Sequence, residues 1–151
     1  MEMVEVINKE RVPVGRIVER DTQLNNGEYH LIVHAWIKDY KSNYLISRRA
    51  ENKSFGGMWE CTGGGVIFGE TSIEAAVRET KEEVGLLLKP ENGRFLTSYF
   101  FEDIHTYTYI LYHIHLYPIL LNQQTLLFWD YKSVQNCRDF HQYICYHHIS
   151  V

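Results

Sequence analysis

A short stretch of the chain combines closely spaced glycines with a run of glutamates. It reads GGVIFGETSIEAAVRETKEEVGL over residues 64–86, and five glutamates lie between positions 70 and 83. Glycines let a backbone approach a bound group closely, and carboxylate oxygens are the ligands that hard divalent cations prefer. The stretch therefore predicts a site for a divalent metal ion and a diphosphate group.

A helix must position these glutamates, and the sequence marks both of its ends. Thr71 followed by Glu74 forms a capping box, and Gly85 is a natural C-terminal stop. An apolar stripe with helical spacing lies between them. Its members are Ile73, Ala76, Val77, Thr80 and Val84. The pattern predicts a helix between Thr71 and Gly85 that packs this stripe against the core.

Three glutamates lie together on a different arc of the predicted helix. Glu79, Glu82 and Glu83 fall within about 100° of arc, with Arg78 beside them. Like charges at this spacing cost about 0.2–0.5 kcal/mol per pair, and the C-terminal end of a helix dipole disfavours negative charge. A solvated acidic face is the plain alternative. A bound Mg²⁺ or Mn²⁺ would offset both costs, so we predict a metal site here.

The rest of the chain predicts a sheet of several strands. Apolar and β-branched segments indicate strands at residues 3–7, 14–19, 29–38, 44–48, 95–102, 106–116 and near 125–129. A Gly-rich loop with a short strand inside it is expected over 56–69, and a short helix capped by Asp130 near 131–141. Strands and helices mixed in this way favour an α/β layered domain.

The glutamate stretch resembles the signature of the Nudix hydrolases, Gx5Ex7REUxEExGU, in which U is a bulky apolar residue. Every fixed position matches, and Thr80 stands at the first U position after Arg78. The segments EYHLIVHAWI, NYLISRRA and GGMWECTGGG resemble the subgroup nearest to isopentenyl-diphosphate isomerase. The resemblance implies a Nudix-type α/β/α sandwich with a mixed β-sheet. It also implies a single domain over residues 1–151, in which the structure of residues 141–151 stays open.

The resemblance also implies roles for residues of the signature. Glu79, Glu82 and Glu83 would hold Mg²⁺ or Mn²⁺, and one of them or a loop carboxylate would take a proton from water. Arg78 would pair with a glutamate of the signature and orient it, a task that suits a bidentate guanidinium. Glu70 would support the metal ligands or take part in binding metal and substrate.

Residues outside the helix complete the expected site. Gly63 would offer a backbone oxygen to the metal, and Gly64 and Gly65 would let the backbone approach the substrate phosphates. Arg48 or Arg49 would bind a phosphate, with Arg48 as our assignment and ordinary surface charge as the alternative. By resemblance, Glu102 or Asp103 would add a catalytic carboxylate, against ordinary loop polarity.

Composition narrows the expected partners and location. The net charge of −4 gives no basic footprint for nucleic acid, and no run of 18 apolar residues is present to span a membrane. The first residues lack a secretory apolar region, and the three cysteines lack metal-ligand spacing, as free thiols in a reducing compartment do. We expect a cytoplasmic protein, with a homodimer allowed, that acts on a small diphosphate substrate.

The leading hypothesis is a metal-dependent hydrolase that cleaves the diphosphate linkage of a nucleoside diphosphate joined to another group, or a related phosphoanhydride. An isopentenyl-diphosphate isomerase is one alternative. By resemblance it would need a Cys and a metal-binding His at the places held by Gly63 and Gly65, and Cys61 lies two residues too early. A non-catalytic nucleotide sensor is the other alternative. It would be expected to have lost signature carboxylates, and none is missing.

Overall fold

The computed structural model describes residues 1–39, 41–53, 55–101, 107–115 and 126–129. The strands are β1 (Met3–Ile7), β2 (Pro13–Glu19), β3 (His30–Lys38), β4 (Tyr44–Arg48), β5 (Trp59–Glu60), β6 (Thr62–Gly65), β7 (Gly93–Phe101), β8 (Tyr107–His115) and β9 (Leu126–Trp129). A helix, α1 (Ser72–Val84), and a 3₁₀ turn (Pro90–Asn92) lie between β6 and β7. These bounds agree closely with the predicted strands and helix.

The main sheet is mixed and is centred on β3. β3 pairs in parallel with β8 along its whole length and antiparallel with β6 over residues 32–35. Within the described residues, the order along the sheet is β5-β4-β3-β8-β7, with β6 beside β3 and β9 beside β4. A mixed sheet with a helix against it confirms the predicted α/β class.

The ends of α1 are fixed by the residues that the sequence indicated. The Thr71 hydroxyl accepts a hydrogen bond from the Glu74 backbone N–H at 3.4 Å, and the Glu74 carboxylate accepts one from the Thr71 N–H at 2.8 Å. Gly85 takes a left-handed φ of 73° and donates to the Lys81 carbonyl. The predicted capping box and glycine stop are confirmed.

The core lies between α1 and one face of the sheet. It contains small and aliphatic side chains from both layers: Val33, Ala35, Ile37, Leu45, Ala75, Ala76 and Val84. Each fully buried aliphatic chain of valine size or larger contributes about 1.5–3 kcal/mol. The opposite face of the sheet is also buried, at Trp36 and Ile46. Burial on both faces is what a layered α/β domain requires.

The buried face of α1 is wider than the predicted stripe. Ile73 and Val77 of the stripe are partly buried and pack against the core, and Ala75 and Glu79, outside the stripe, are buried as well. The small side chain of Ala75 and the glycines of β6 allow the helix to approach the sheet on this side. Thr80 is fully buried, and its hydroxyl donates to the Ala76 carbonyl at 2.7 Å. This bond satisfies the polar group of a threonine that stands where the signature has an apolar residue.

The strands β1 and β2 form a separate antiparallel hairpin at the N-terminal side of the domain. Two backbone hydrogen bonds of 2.8 Å join Ile7 and Tyr29, just before β3. The Phe68 N–H donates to the Met3 carbonyl at 2.7 Å. The hairpin is therefore held against the loop that leads into α1, where it can contribute to a site.

Several predictions fall outside the described residues. These are the helix near 131–141, the open segment 141–151, and the carboxylates of Glu102 and Asp103. The prediction of a single domain over residues 1–151 also stays a prediction. None of the helices in the described ranges is long and apolar enough to cross a membrane.

Candidate active site

The glycines of β6 let the acidic half of α1 approach the sheet closely. A Cβ atom at Gly64 would lie 2.2 Å from Oε1 of Glu79, far inside van der Waals contact. A Cβ at Gly63 would lie 2.3 Å from the Val33 carbonyl oxygen. Glycine is therefore required at both positions by close approach, and the space beside Gly64 is filled by a carboxylate.

Arg78 is the centre of the polar network. It binds Glu70 in a bidentate manner, with Nε 2.7 Å from Oε1 and Nη2 3.0 Å from Oε2. Its Nη1 donates to Glu79 at 2.8 Å and to Glu82 at 3.3 Å. Its Nη2 also donates to the Gly65 carbonyl at 2.9 Å. These contacts use all five N–H donors of a guanidinium, so Arg78 has no donor left for a ligand.

Glu70 ties the glycine loop to the helix. Besides the two bonds from Arg78, its Oε2 accepts a hydrogen bond from the Ile67 N–H at 3.1 Å. The bond from Arg78 is the largest cause that lowers the pKa of Glu70 from its ordinary value. Glu70 is consequently a charged anchor for Arg78, and it is turned towards protein groups in this arrangement.

Glu79 is a buried carboxylate beside other acids. Its exposed fraction is only 6%. Burial raises its pKa and the neighbouring charge of Glu83 adds to this, while the charges of Arg78 and Arg20 act in the opposite direction. A carboxylate held in this way gains from any additional cation, which is the property expected of a metal ligand.

The other two acids of the predicted set differ from Glu79. Glu83 is half-buried and accepts hydrogen bonds from the Thr62 hydroxyl at 2.7 Å and from the Gly63 N–H at 3.2 Å. Glu82 is the exposed one, with 56% of its side chain accessible and a single long contact to Arg78. The three acids therefore do not form a uniform solvent face, because each has its own surroundings.

The donor set suits a hard divalent cation, although it is not assembled in advance. Glu79, Glu82, Glu83 and the carbonyl oxygen of Gly63 are oxygen donors, the kind that Mg²⁺ and Mn²⁺ prefer. Within the described ranges, no three acidic, histidine or cysteine side chains converge on one point. Arg78 explains this arrangement, since it holds Glu79 and Glu82 to itself.

Arg48 and Arg49, at the end of β4, have different surroundings in the structure. Arg48 is exposed, donates to the Gly57 carbonyl at 2.9 Å and lies near Glu51, so it is not brought to the acidic helix. Arg49 lies on the other side of the strand, and its Nη1 is 2.7 Å from Oε2 of the buried Glu60. Consecutive residues of an extended chain point to opposite faces, and this alternation selects Arg49.

Sequence reasoning overlooked Glu60, Thr62 and Arg20. Burial raises the pKa of Glu60, and Glu83 raises it further, so the two acids lie close together. The alternation of polar residues at 60 and 62, just before the glycines, is a local signal that could have indicated a shared face. Arg20 has no such signal, because it reaches the site only through the packing of the hairpin.

Comparison with known proteins agrees with the fold and the signature. Residues 28–138 match the family model of the NUDIX domain. The chain is 32% identical over 127 residues to an uncharacterised Nudix hydrolase of Listeria monocytogenes. The alignment covers 82% of this chain and 75% of that protein. An uncharacterised Nudix hydrolase of Listeria innocua is 36% identical over 104 residues, or 68% of this chain and 62% of its own length.

A solved structure gives the same result for the fold. The crystal structure of a MutT protein from Methanosarcina mazei Go1 superposes with a TM-score of 0.64 at 24% identity, over 76% of this chain and 86% of that one. The mixed sheet, the capped acidic helix and the glycine strand thus define a Nudix-type α/β protein. The chain belongs to the Nudix family. The prediction of a Nudix hydrolase is confirmed at the level of the family. The resemblance to the isomerase-like subgroup stays a prediction.

Proposed function

We propose that this protein is a metal-dependent hydrolase that cleaves the diphosphate linkage of a nucleoside diphosphate joined to another group, or a related phosphoanhydride. The observation that carries the proposal is the contact between Gly64 and Glu79, where a Cβ would lie 2.2 Å from the carboxylate oxygen. It places a buried carboxylate, whose pKa is raised by that burial, directly against a glycine backbone. A solvated acidic face would need neither the burial nor the glycine.

Glu79, Glu82, Glu83 and the Gly63 carbonyl would hold Mg²⁺ or Mn²⁺. When bound, such a metal neutralises phosphate charge and lowers the pKa of bound water. The chain itself fixes the orientation of these acids, since Arg78 holds Glu79 and the Thr62 hydroxyl holds Glu83. These contacts hold the acids close to the place where the metal would bind, and Glu79 and Glu82 would turn from Arg78 to the metal on binding.

The exposure of the acids favours one of them as the proton acceptor. Glu79 is buried against Arg78, and Glu83 already accepts two hydrogen bonds from protein groups. Glu82 is exposed and weakly held at 3.3 Å, so its oxygens can reach an attacking water. We assign to Glu82 the acceptance of the water proton, in addition to metal binding.

The expected substrate-binding residues divide into two groups. The assignment of Gly64 and Gly65 as backbone that a substrate phosphate can approach stays a prediction. Glu70 binds Arg78. We assign the phosphate contact to Arg49 in place of Arg48, because Arg49 pairs with Glu60, whose carboxylate feels the charge of Glu83 on α1. A cytoplasmic location, a homodimer, and the lack of nucleic-acid and membrane partners stay predictions.

A substrate panel with metal tests the proposed function. Nucleoside diphosphate sugars, dinucleoside polyphosphates, NADH, coenzyme A and nucleoside triphosphates would be incubated with Mg²⁺ or Mn²⁺ and with excess chelator. We expect at least one compound to be cleaved only when metal is present. A productive reaction in ¹⁸O-water should place the label in a phosphate-bearing product. Full turnover in chelator would refute the metal requirement.

The isomerase alternative is tested in the same panel. Its candidate thiol, Cys61, is buried, and its Sγ lies 3.5 Å from Nδ1 of His34. Gly63 and Gly65 carry no side chain that could move a proton at carbon. Conversion of isopentenyl diphosphate to its dimethylallyl isomer, without cleavage or label, would overturn the hydrolase proposal.

A further inference from the structure

The N-terminal hairpin brings an arginine to the acidic site from a distant part of the chain. Arg20 follows directly after β2, and its Nε lies 3.5 Å from where a Cβ of Gly65 would be. The Arg20 backbone N–H donates to the Glu2 carbonyl at 3.0 Å, and the Phe68 N–H donates to the Met3 carbonyl. These backbone bonds fix the hairpin, and with it Arg20, beside the last glycine of β6.

Arg20 and Arg78 both lie beside Gly65, and they differ in how many N–H donors remain available for a ligand. Arg78 spends all five N–H donors on Glu70, Glu79, Glu82 and the Gly65 carbonyl. Within the part of the chain that the structure describes, the Arg20 guanidinium donates a hydrogen bond to the Glu2 carboxylate alone, at 2.7 Å. Arg20 therefore keeps free donors, which Arg78 does not.

The ion pair between Arg20 and Glu2 is weak enough for another anion to replace Glu2. Both side chains are more than 40% exposed, at 43% and 41%. An ion pair with such exposure is worth about 0–1 kcal/mol, whereas a guanidinium binds phosphate through charge-assisted and often bidentate hydrogen bonds. A phosphate oxygen at the rim can thus displace the Glu2 carboxylate at little cost.

The acids of the site repel an anion, so a cation beside them favours the binding of an anionic substrate. The chain carries a net charge of −4 and the signature helix adds several acids at one place. Arg20 lies beside Gly65, and the neighbouring Gly64 packs directly against the Glu79 carboxylate, so Arg20 is near the acidic helix. An anionic group bound beside Gly65 would lie close to Arg20.

We propose that Arg20 leaves Glu2 and binds non-bridging oxygens of a phosphate group of the substrate, so that the N-terminal hairpin forms part of the substrate-binding surface. The inference rests on the proposed function in taking the ligand to be a diphosphate. It assigns a binding residue and makes no claim about the chemical step.

The test uses the full chain, three variants and a diphosphate that cannot be hydrolysed. Arg20→Gln removes the proposed contact. Arg16→Gln is the matched control, because Arg16 lies on β2, the strand that Arg20 follows, is 40% exposed and pairs with Glu28 instead. Glu2→Gln removes the competitor. Binding of methylene diphosphonate with Mg²⁺ would be measured by calorimetry, and binding of Mn²⁺ alone would be measured in parallel.

Arg20→Gln should weaken diphosphonate binding by about tenfold, as expected for one charge-assisted contact. Arg16→Gln should stay within about twofold of the wild type, and Glu2→Gln should bind equally or more tightly. Mn²⁺ affinity should not fall in Arg20→Gln, since a merely structural role would weaken the metal site too. With a cleaved substrate, KM should rise more than kcat falls.

Three results would overturn the inference. These are wild-type diphosphonate binding in Arg20→Gln, an equal loss in Arg16→Gln, or no binding by the wild type. Failure of the proposed function looks different. If no compound is cleaved but diphosphonate binding still depends on Arg20, the hydrolase proposal fails and the anion site stands.

Discussion

Replacement of Gly64 by alanine tests the close approach on which the site depends. The new Cβ would lie 2.2 Å from Oε1 and 2.3 Å from Cδ of Glu79. Ordinary contact begins at 3.4 Å, so the carboxylate or the strand must move by more than 1 Å. Glu79 is buried and bonded to Arg78 at 2.8 Å, so it cannot move without breaking that bond.

The expected loss of stability follows from two contributions. Overpacking in a well-packed interior costs about 1–3 kcal/mol, and a hydrogen bond to a charged group is worth about 1.5–3 kcal/mol. Since the displaced side chain regains part of its solvation, we expect Gly64→Ala to cost about 2–4 kcal/mol in total. For a domain of this size, that loss lowers the Tm by roughly 5–15 °C.

The assay is thermal unfolding of the wild type and the variant, with and without Mg²⁺. We expect the variant to have a lower Tm. Adding Mg²⁺ should also raise its Tm less than that of the wild type, because the new Cβ displaces the Glu79 carboxylate from the metal site. Gly65→Ala is the stability control: its Cβ would meet Arg20 at 3.5 Å, an ordinary contact, on the same strand. If Gly64→Ala melts within about 2 °C of Gly65→Ala and keeps the full metal response, the close-approach argument is wrong.

Three further substitutions test other parts of the network. Glu82→Gln should lower turnover at least about tenfold with little change in Tm, because this side chain is exposed; wild-type turnover would mean that the acid is only solvated surface. Arg78 lowers the pKa of Glu70 below its ordinary 4.5, so this pair stabilises the fold above that pH and loses its effect as the pH falls through the lowered value. Glu70→Gln should therefore reduce the Tm at pH 7, and the reduction should shrink as the pH falls below 4.5; a reduction that does not change with pH would contradict the assignment. Thr80→Val keeps the shape and removes the hydroxyl bonded to the Ala76 carbonyl; we expect an unchanged or slightly raised Tm, and a fall above about 5 °C would show that the hydroxyl stabilises the helix.

The sequence alone determined the features that depend on neighbours along the chain. The limits of α1 followed from Thr71, Glu74 and Gly85, because caps are made by residues within one turn of the helix end. The strands followed from their apolar and β-branched runs. The signature identified the family, since its residues lie within 23 positions of one another over 64–86.

The width of the buried face of α1 could not be predicted from periodicity. The predicted stripe packs against the core, with Ile73 and Val77 partly buried, yet the buried face also includes Ala75 and Glu79. A helical period predicts that a face exists, but its width depends on how closely the partner surface can approach. Here the glycines of β6 allow that approach, and they draw one acid into the interior.

Only the tertiary structure decided which charged groups meet. Arg78 joins Glu70 because the loop before α1 folds back over the helix, and Arg49 is selected over Arg48 by the pairing of β4 with β5. Arg20 reaches Gly65 because the hairpin docks on the same loop. The Arg20 contact joins residues far apart in the chain through backbone pairing and packing, and no local pattern of residue types encodes it.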